Sequence, residues 1–253
     1  MKRFLLFLSA VFIATTAIAH TINWYVDGSV YHTTTCESGE DVTPPTAPEK
    51  YGYTFQGWDL KYISVEYIEG LNNVQYIDTG IVPNSTMSIY AKVSASLAGD
   101  YYAALGARES HQDGFDFFLG NNSILVDWFG TSEGTRYQMD PNGVTEKDIF
   151  EIRISNNILT LIKNQSELAK HIFVPTNQTN YTIFLNGIND SSSPHFRKHS
   201  TGRVYHFKIE GVADMWPVQR MSDGTVGMYD TIRRRFFTNA GTGDFIAGPI
   251  VGE

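Results

Sequence analysis

The sequence predicts an all-β protein whose larger part is a two-sheet sandwich or jelly roll. Three observations carry this. Aromatic residues make up 13% of the 253 residues, dominated by Tyr and Phe, and together with the many Thr, Ile and Val residues they are strand formers. Alternation of apolar and polar residues recurs along the chain, and Gly, Asn and Asp turns separate the alternating runs. No window of comparable length has the i, i+3, i+4, i+7 apolar spacing of an amphipathic helix.

The first 19 residues read as a secretory leader: Met1-Lys2-Arg3, an apolar run from Phe4 to Ile18, and the small-x-small ending Ala17-Ile18-Ala19. The apolar core is shorter than the roughly 20 residues that cross a bilayer, and polar sequence follows at once. Cleavage after Ala19 is expected, leaving His20 at the new amino terminus and an exported chain, secreted or held at the cell surface. His20 has no recognisable downstream imidazole partner for a metal. No second apolar stretch of spanning length occurs, so no membrane span is expected.

Residues 20–60 read as a small module. Asp27-Gly28 between β-rich runs is a hairpin signal, and Pro44, Pro45 and Pro48 interrupt any ladder and mark a loop. The module ends Gly52-Tyr53-Thr54-Phe55-Gln56-Gly57-Trp58. With Gly39, the Pro-x-x-Pro spacing and the early Val-Asp-Gly turn, it resembles one Listeria-Bacteroides repeat. That resemblance implies a β-grasp-like fold and a spacer or adhesive role without catalysis.

Residues 65–250 read as the sandwich. From Met87 to Ala95 the odd positions are apolar, while Ser88, Lys92 and Ser94 are polar, which describes a strand with one buried face. Phe150, Ile152 and Ile154 oppose Glu151 and Arg153 in the same way. Asn156-Asn157 is the expected two-residue turn into Ile158–Ile162, and Tyr205, Phe207 and Ile209 oppose His206 and Lys208. The opening Val65-Glu66-Tyr67-Ile68-Glu69 with Gln75–Gly80, and the closing Val226–Asp230 with Phe237–Gly243, resemble bacterial and phage concanavalin A-like or laminin G-like sandwich domains. The resemblance implies the fold and leaves function open, since that fold hosts lectins, adhesins and glycosidases.

Composition excludes some classes. A formal net charge of −8 argues against a nucleic-acid partner, which demands a dense positive footprint. The run Arg233-Arg234-Arg235 is the sole basic cluster and reads as a solvated turn. Cys36 is the single cysteine, so no intramolecular disulfide forms, and Glu37 beside it does not favour a catalytic thiolate.

Two groups of residues could carry chemistry. The polar-aromatic stretch with Asp113, Asp116, Asn121, Asn122 and Trp128 is the candidate ligand site, since sugars are held by planar hydrogen-bonding groups and an aromatic face. Its oxygens would also suit a calcium ion, although no strict calcium-loop pattern is present and no cofactor or metal is called for. The group Glu146-Lys147-Asp148-Ile149-Phe150-Glu151 is similar to the strand motif of laminarinase-type glycosidases. That similarity implies Glu146 as nucleophile and Glu151 as acid, but Lys147 stands where an apolar residue is expected. The pair His195 and His199 follows Ser191-Ser192-Ser193-Pro194 and reads as loop. The expectation is a binding or adhesion protein that recognises an extracellular glycan or surface protein, not an enzyme; a glycoside hydrolase and a structural spacer are the alternatives.

Overall fold

A computed structural model describes residues 19–26, 29–37, 43–55, 62–71, 74–96, 101–110, 113–120, 124–130, 135–139, 144–145, 148–190 and 201–251. The chain divides into two compact units, residues 1–59 with 252–253, and residues 60–251. Among the described residues there are only strands, turns and irregular segments, so no helix there could cross a membrane.

In the first unit β1 (Ala19–Val26) and β2 (Ser29–Glu37) form an antiparallel hairpin. Asp27 and Gly28, between these strands in the sequence, lie outside the described residues, as do Gly57 and Trp58. Trp24 Nε1 donates to Thr34 Oγ1 at 2.9 Å, and Thr33 Oγ1 donates to Asn23 Oδ1 at 2.9 Å.

The second unit contains β3 (Tyr62–Ser64), β4 (Ile68–Gly70), β5 (Ile77–Asp78), β6 (Ile89–Ser96), β7 (Tyr101–Ser110), β8 (Asp113–Gly120), β9 (Ile124–Trp128) and β10 (Arg136–Met139). It continues with β11 (Ile149–Ser155), β12 (Ile158–Lys163), β13 (Ser166–Ile172), β14 (Phe184–Leu185), β15 (Thr201–Ile209), β16 (Ala213–Arg220), β17 (Val226–Asp230), β18 (Arg235–Thr238) and β19 (Ile246–Ala247). They build a six-stranded sheet in the order β10-β9-β8-β7-β14-β5 and a larger sheet with the path β13-β12-β11-β6-β15-β16-β17-β18, to which β3, β4 and β19 attach. All the strand pairs are antiparallel.

The two sheets share one core, the two-sheet sandwich expected from the sequence. The larger sheet contributes Ile89, Ala91, Val93, Phe150, Ile152, Ile154, Phe207 and Met215, and the smaller one Phe115, Phe117, Leu119, Val126 and Trp128. Burying a large side chain of this kind contributes about 1.5–3 kcal/mol. The turn between β11 and β12 is the expected pair, Asn156 at φ 49 and Asn157 at φ 61, the left-handed values that a two-residue hairpin requires of both residues.

Two expectations are corrected. A bulge between Val204 and His206 makes Tyr205 the extra residue of β15, so Val204, Phe207 and Ile209 fill the core while the Tyr205 hydroxyl lies 3.4 Å from Ser94 Oγ. Arg233 is also no solvated turn residue. Its guanidinium pairs with the buried Asp230, donates to Thr79 O at 2.6 Å, and lies 4.6 Å from the Phe237 ring. Asp230 in turn accepts from the backbone N–H of Asp214, Ile232 and Arg233, so one carboxylate closes the β17–β18 turn and ties it to the core.

Candidate functional site

Of the five residues expected to bind ligand, only Asp116 and Trp128 have described side chains, and these two do not share a surface. Trp128 follows Ile124 and Val126 on the inward parity of β9, and its ring is completely buried against Phe115, Phe129 and Phe173. Its one polar atom, Nε1, donates to Asn157 Oδ1 at 2.9 Å. Trp128 is therefore a core residue and presents no face to a sugar. Asn121 and Asn122 lie outside the described residues, and Asp113 starts β8 with a side chain that lies outside them too.

Asp116 alternates with Phe115 and Phe117, so its carboxylate leaves the outer face of the six-stranded sheet. There it is enclosed. Arg108 Nη1 donates to Asp116 Oδ2 at 2.9 Å, and Arg108 Nη2 lies 3.6 Å from Asp190 Oδ2. Directly across from Asp116 on β9 is Asp127, held in a two-bond fork by Arg136 at 2.6 and 2.7 Å. Across on β7 is Gly106, where a Cβ would lie 2.8 Å from Asp116 Cβ. Burial, reinforced by the Asp127 charge and opposed by Arg108, pushes the Asp116 carboxyl up to about 7.

The described acids of the glycosidase-like group are also committed. Asp148 accepts from Thr145 N at 2.8 Å and Asn164 Nδ2 at 2.7 Å, and it pairs with Lys163 at 2.9 Å. Burial works the other way, but these hydrogen bonds hold its carboxyl below the usual range. Glu151 sits on the opposite parity to the buried Phe150 and Ile152, and pairs with Arg153 at 2.9 Å. Glu146 lies outside the described residues, as do His195 and His199. Among the described residues, no group of three or more His, Cys, Asp or Glu is placed to hold a metal ion.

A different surface is organised, one that the sequence did not single out. On the outer face of the larger sheet, Lys92 of β6 stands opposite His206 of β15. The His206 ring stacks on Trp216 of β16, with centroids 3.7 Å apart and planes 20° from parallel. Trp216 stands opposite Tyr229 of β17, and Tyr229 opposite Phe236 of β18. Tyr62 of β3 closes the row, 5.0 Å from Tyr229 and 5.3 Å from Phe236. Tyr90 lies 5.1 Å from His206 on the other side. Trp216 is 46% exposed, whereas its neighbours in the row are half-buried.

The face is held by polar contacts. His206 Nε2 donates to Asp214 Oδ1 at 2.7 Å. Burial lowers the His206 ring below its ordinary value in spite of this partner, so the stacked imidazole is neutral near pH 7. Tyr90 is pushed up to about 12 by burial and by Glu151 beside it. The result is a strip of rings bordered by hydrogen-bonding groups, an arrangement chemically able to take a flat, amphipathic ligand.

No family model matches this chain, the repeat resemblance of residues 20–60 included, and no curated protein sequence matches it. Among solved structures, it is similar to Ruminococcus gnavus IT-sialidase CBM40, at 12% identity over 59% of this chain and 89% of that one, TM-score 0.39. It is also similar to domains LG4-5 of the mouse laminin α1 chain, at 11% identity over 89% of this chain and 50% of that one, TM-score 0.40. The binding domain of botulinum neurotoxin DC in complex with rat synaptotagmin II gives 9% identity over 54% and 32%, TM-score 0.32. Similarity of this size identifies no family, and the site stands on its own geometry.

Proposed function

We propose that this is an exported, non-catalytic binding protein whose sandwich recognises glycan through the outer face of its larger sheet, with residues 20–60 as a spacer. The observation that carries the reading is Trp216. A tryptophan on a strand normally turns its large apolar area inward, as Trp128 does, yet the indole of Trp216 stays 46% exposed with the His206 ring stacked on it at 3.7 Å. Clustered rings on an exposed face mark an interaction surface. Rows of rings one strand spacing apart, ~4.8 Å, suit a ligand built of flat repeating units.

Glycan rather than protein is the occupant we favour because the row is bordered by fixed side-chain polar groups, Asp214, His206, Glu151 and Tyr90, that can exchange hydrogen bonds with hydroxyls. Turnover is not part of the reading: Asp148 and Glu151 each have structural partners. The platform calls for no cofactor, so chelation should leave binding unchanged. A glycan array probed with the full chain and with Trp216→Ala tests the proposal. Retention of a defined glycan set by the first and not the second is the expected result. Binding to no glycan, with capture of a surface protein instead, would assign the face to a protein partner.

A further inference from the structure

We infer that this platform selects saccharides bearing a carboxylate, and that Lys92 is the residue that reads it; the inference rests on the glycan-binding reading above. The outer face of the larger sheet carries several cations, and nearly all are held by a carboxylate. Arg153 pairs with Glu151 at 2.9 Å, Arg203 with Glu69 at 3.0 Å, Lys208 with Glu210 at 3.0 Å and Arg220 with Asp223 at 2.6 Å. His206 is occupied by Asp214 at 2.7 Å and is held neutral.

Lys92 differs from these. Glu151 stands directly across from it on β11, yet the Glu151 carboxylate is taken by Arg153, and Lys92 forms none of the ion pairs of the described residues. Its ammonium is placed instead by the Tyr205 ring, 5.6 Å from the centroid. That ring belongs to Tyr205 at the β15 bulge, a residue that stays buried but outside the main core cluster. A half-buried, positioned ammonium with no acid of its own among the described residues is a specificity element for an incoming anion.

Its distance from the platform fits this role. Lys92 and Trp216 flank His206 on β6 and β16, two strand spacings or ~10 Å apart. A pyranose lying on Trp216 would project a substituent, or the next sugar, across His206 toward the ammonium. Because the whole chain carries a formal net charge of −8, an acidic saccharide would be repelled over most of the surface and drawn to this point. One ammonium matches one carboxylate.

The test is an array carrying neutral oligosaccharides and their uronate- and sialate-terminated counterparts, followed by titration calorimetry on matched pairs. The full chain is compared with Lys92→Gln, Lys92→Arg and Trp216→Ala. The native chain is expected to prefer carboxylated members by about tenfold, the scale of one charge-assisted hydrogen bond. Lys92→Gln should lose that preference while keeping affinity for neutral counterparts, and Lys92→Arg should retain it. Trp216→Ala should lose both ligand classes. Equal binding of neutral and acidic members, or an unchanged preference in Lys92→Gln, overturns this inference and leaves the platform reading intact. Failure of the native chain to bind any glycan overturns both.

Discussion

The imidazole of His206 stacks on the indole of Trp216 with ring centroids 3.7 Å apart, and Asp214 on the same strand as Trp216 fixes the imidazole through Nε2. The contact joins β15 to β16 on the outer face of the larger sheet and keeps an exposed tryptophan from folding flat onto the strand. A ring so braced loses little side-chain freedom when a ligand arrives.

Truncating His206 therefore tests the bracing separately from the ring. His206→Ala should weaken retention of glycan roughly fivefold to twentyfold through a looser Trp216, with unfolding changed by less than about 1 kcal/mol because the site is partly open. Fluorescence anisotropy of the indole, rising in mobility in the variant, checks the cause.

Trp128→Ala should behave in the opposite way. The ring is completely buried among Phe115, Phe129 and Phe173, and its loss leaves both a cavity and an unpaired Asn157 Oδ1. Destabilisation of about 3–5 kcal/mol is expected, measured by urea unfolding. Whatever fraction remains folded should bind as the native chain does.

Asp116 gives a pH dependence whose sign is fixed. Its carboxyl is raised by burial to about 7 in the folded chain, so the folded state holds a proton that the unfolded state releases near pH ~4. Stability from this group is present below pH ~4 and is lost as pH rises toward about 7. Asp148 and Asp230 are lowered by their hydrogen bonds, although burial opposes them. Their contribution runs the other way and disappears as pH falls through the carboxylate range. Thermal unfolding of Asp116→Asn should accordingly lack the decline that the native chain shows between pH ~4 and ~7. A native profile flat across that window would contradict the account.

Arg233→Ala removes the partner of a carboxylate with no exposed surface. Asp230 keeps its backbone donors but loses its countercharge, and a buried charge left uncompensated costs about 3–5 kcal/mol. Chemical unfolding should show it, and Arg233→Lys should recover only part, since a single ammonium does not reproduce a guanidinium that reaches Asp230 through Nε and Thr79 O through Nη1.

The sequence carried the sandwich well where strands obey a simple period. β6, β11 and β12 were legible because their inward positions are uniformly apolar, and the Asn156-Asn157 turn because both residues tolerate positive φ. Tyr205 departs from the simple period, though it stays buried, because a bulge shifts parity by one residue without leaving a mark in the composition. The platform was hidden by Pro217, which makes Met215–Val218 look like an interrupted strand. Pro217 is tolerated because β16 changes neighbour there, from β15 at Ala213–Met215 to β3 at Val218–Arg220. Trp128 is an aromatic among polar residues, yet its parity with Ile124 and Val126 places it in the core. Pairing Asp230 with Arg233, or Asp116 with Arg108, depends on contacts that alternation alone does not encode.

The most direct measurement is a glycan array probed in parallel with the full chain, Trp216→Ala and Tyr229→Ala, with bound saccharides eluted and weighed by mass spectrometry. The account predicts that the native chain retains a defined set of glycans and returns them intact, and that both variants lose at least tenfold in retention, about 1.4 kcal/mol, while unfolding like the native chain. Undiminished retention by Trp216→Ala, or recovery of cleaved saccharides, would contradict it.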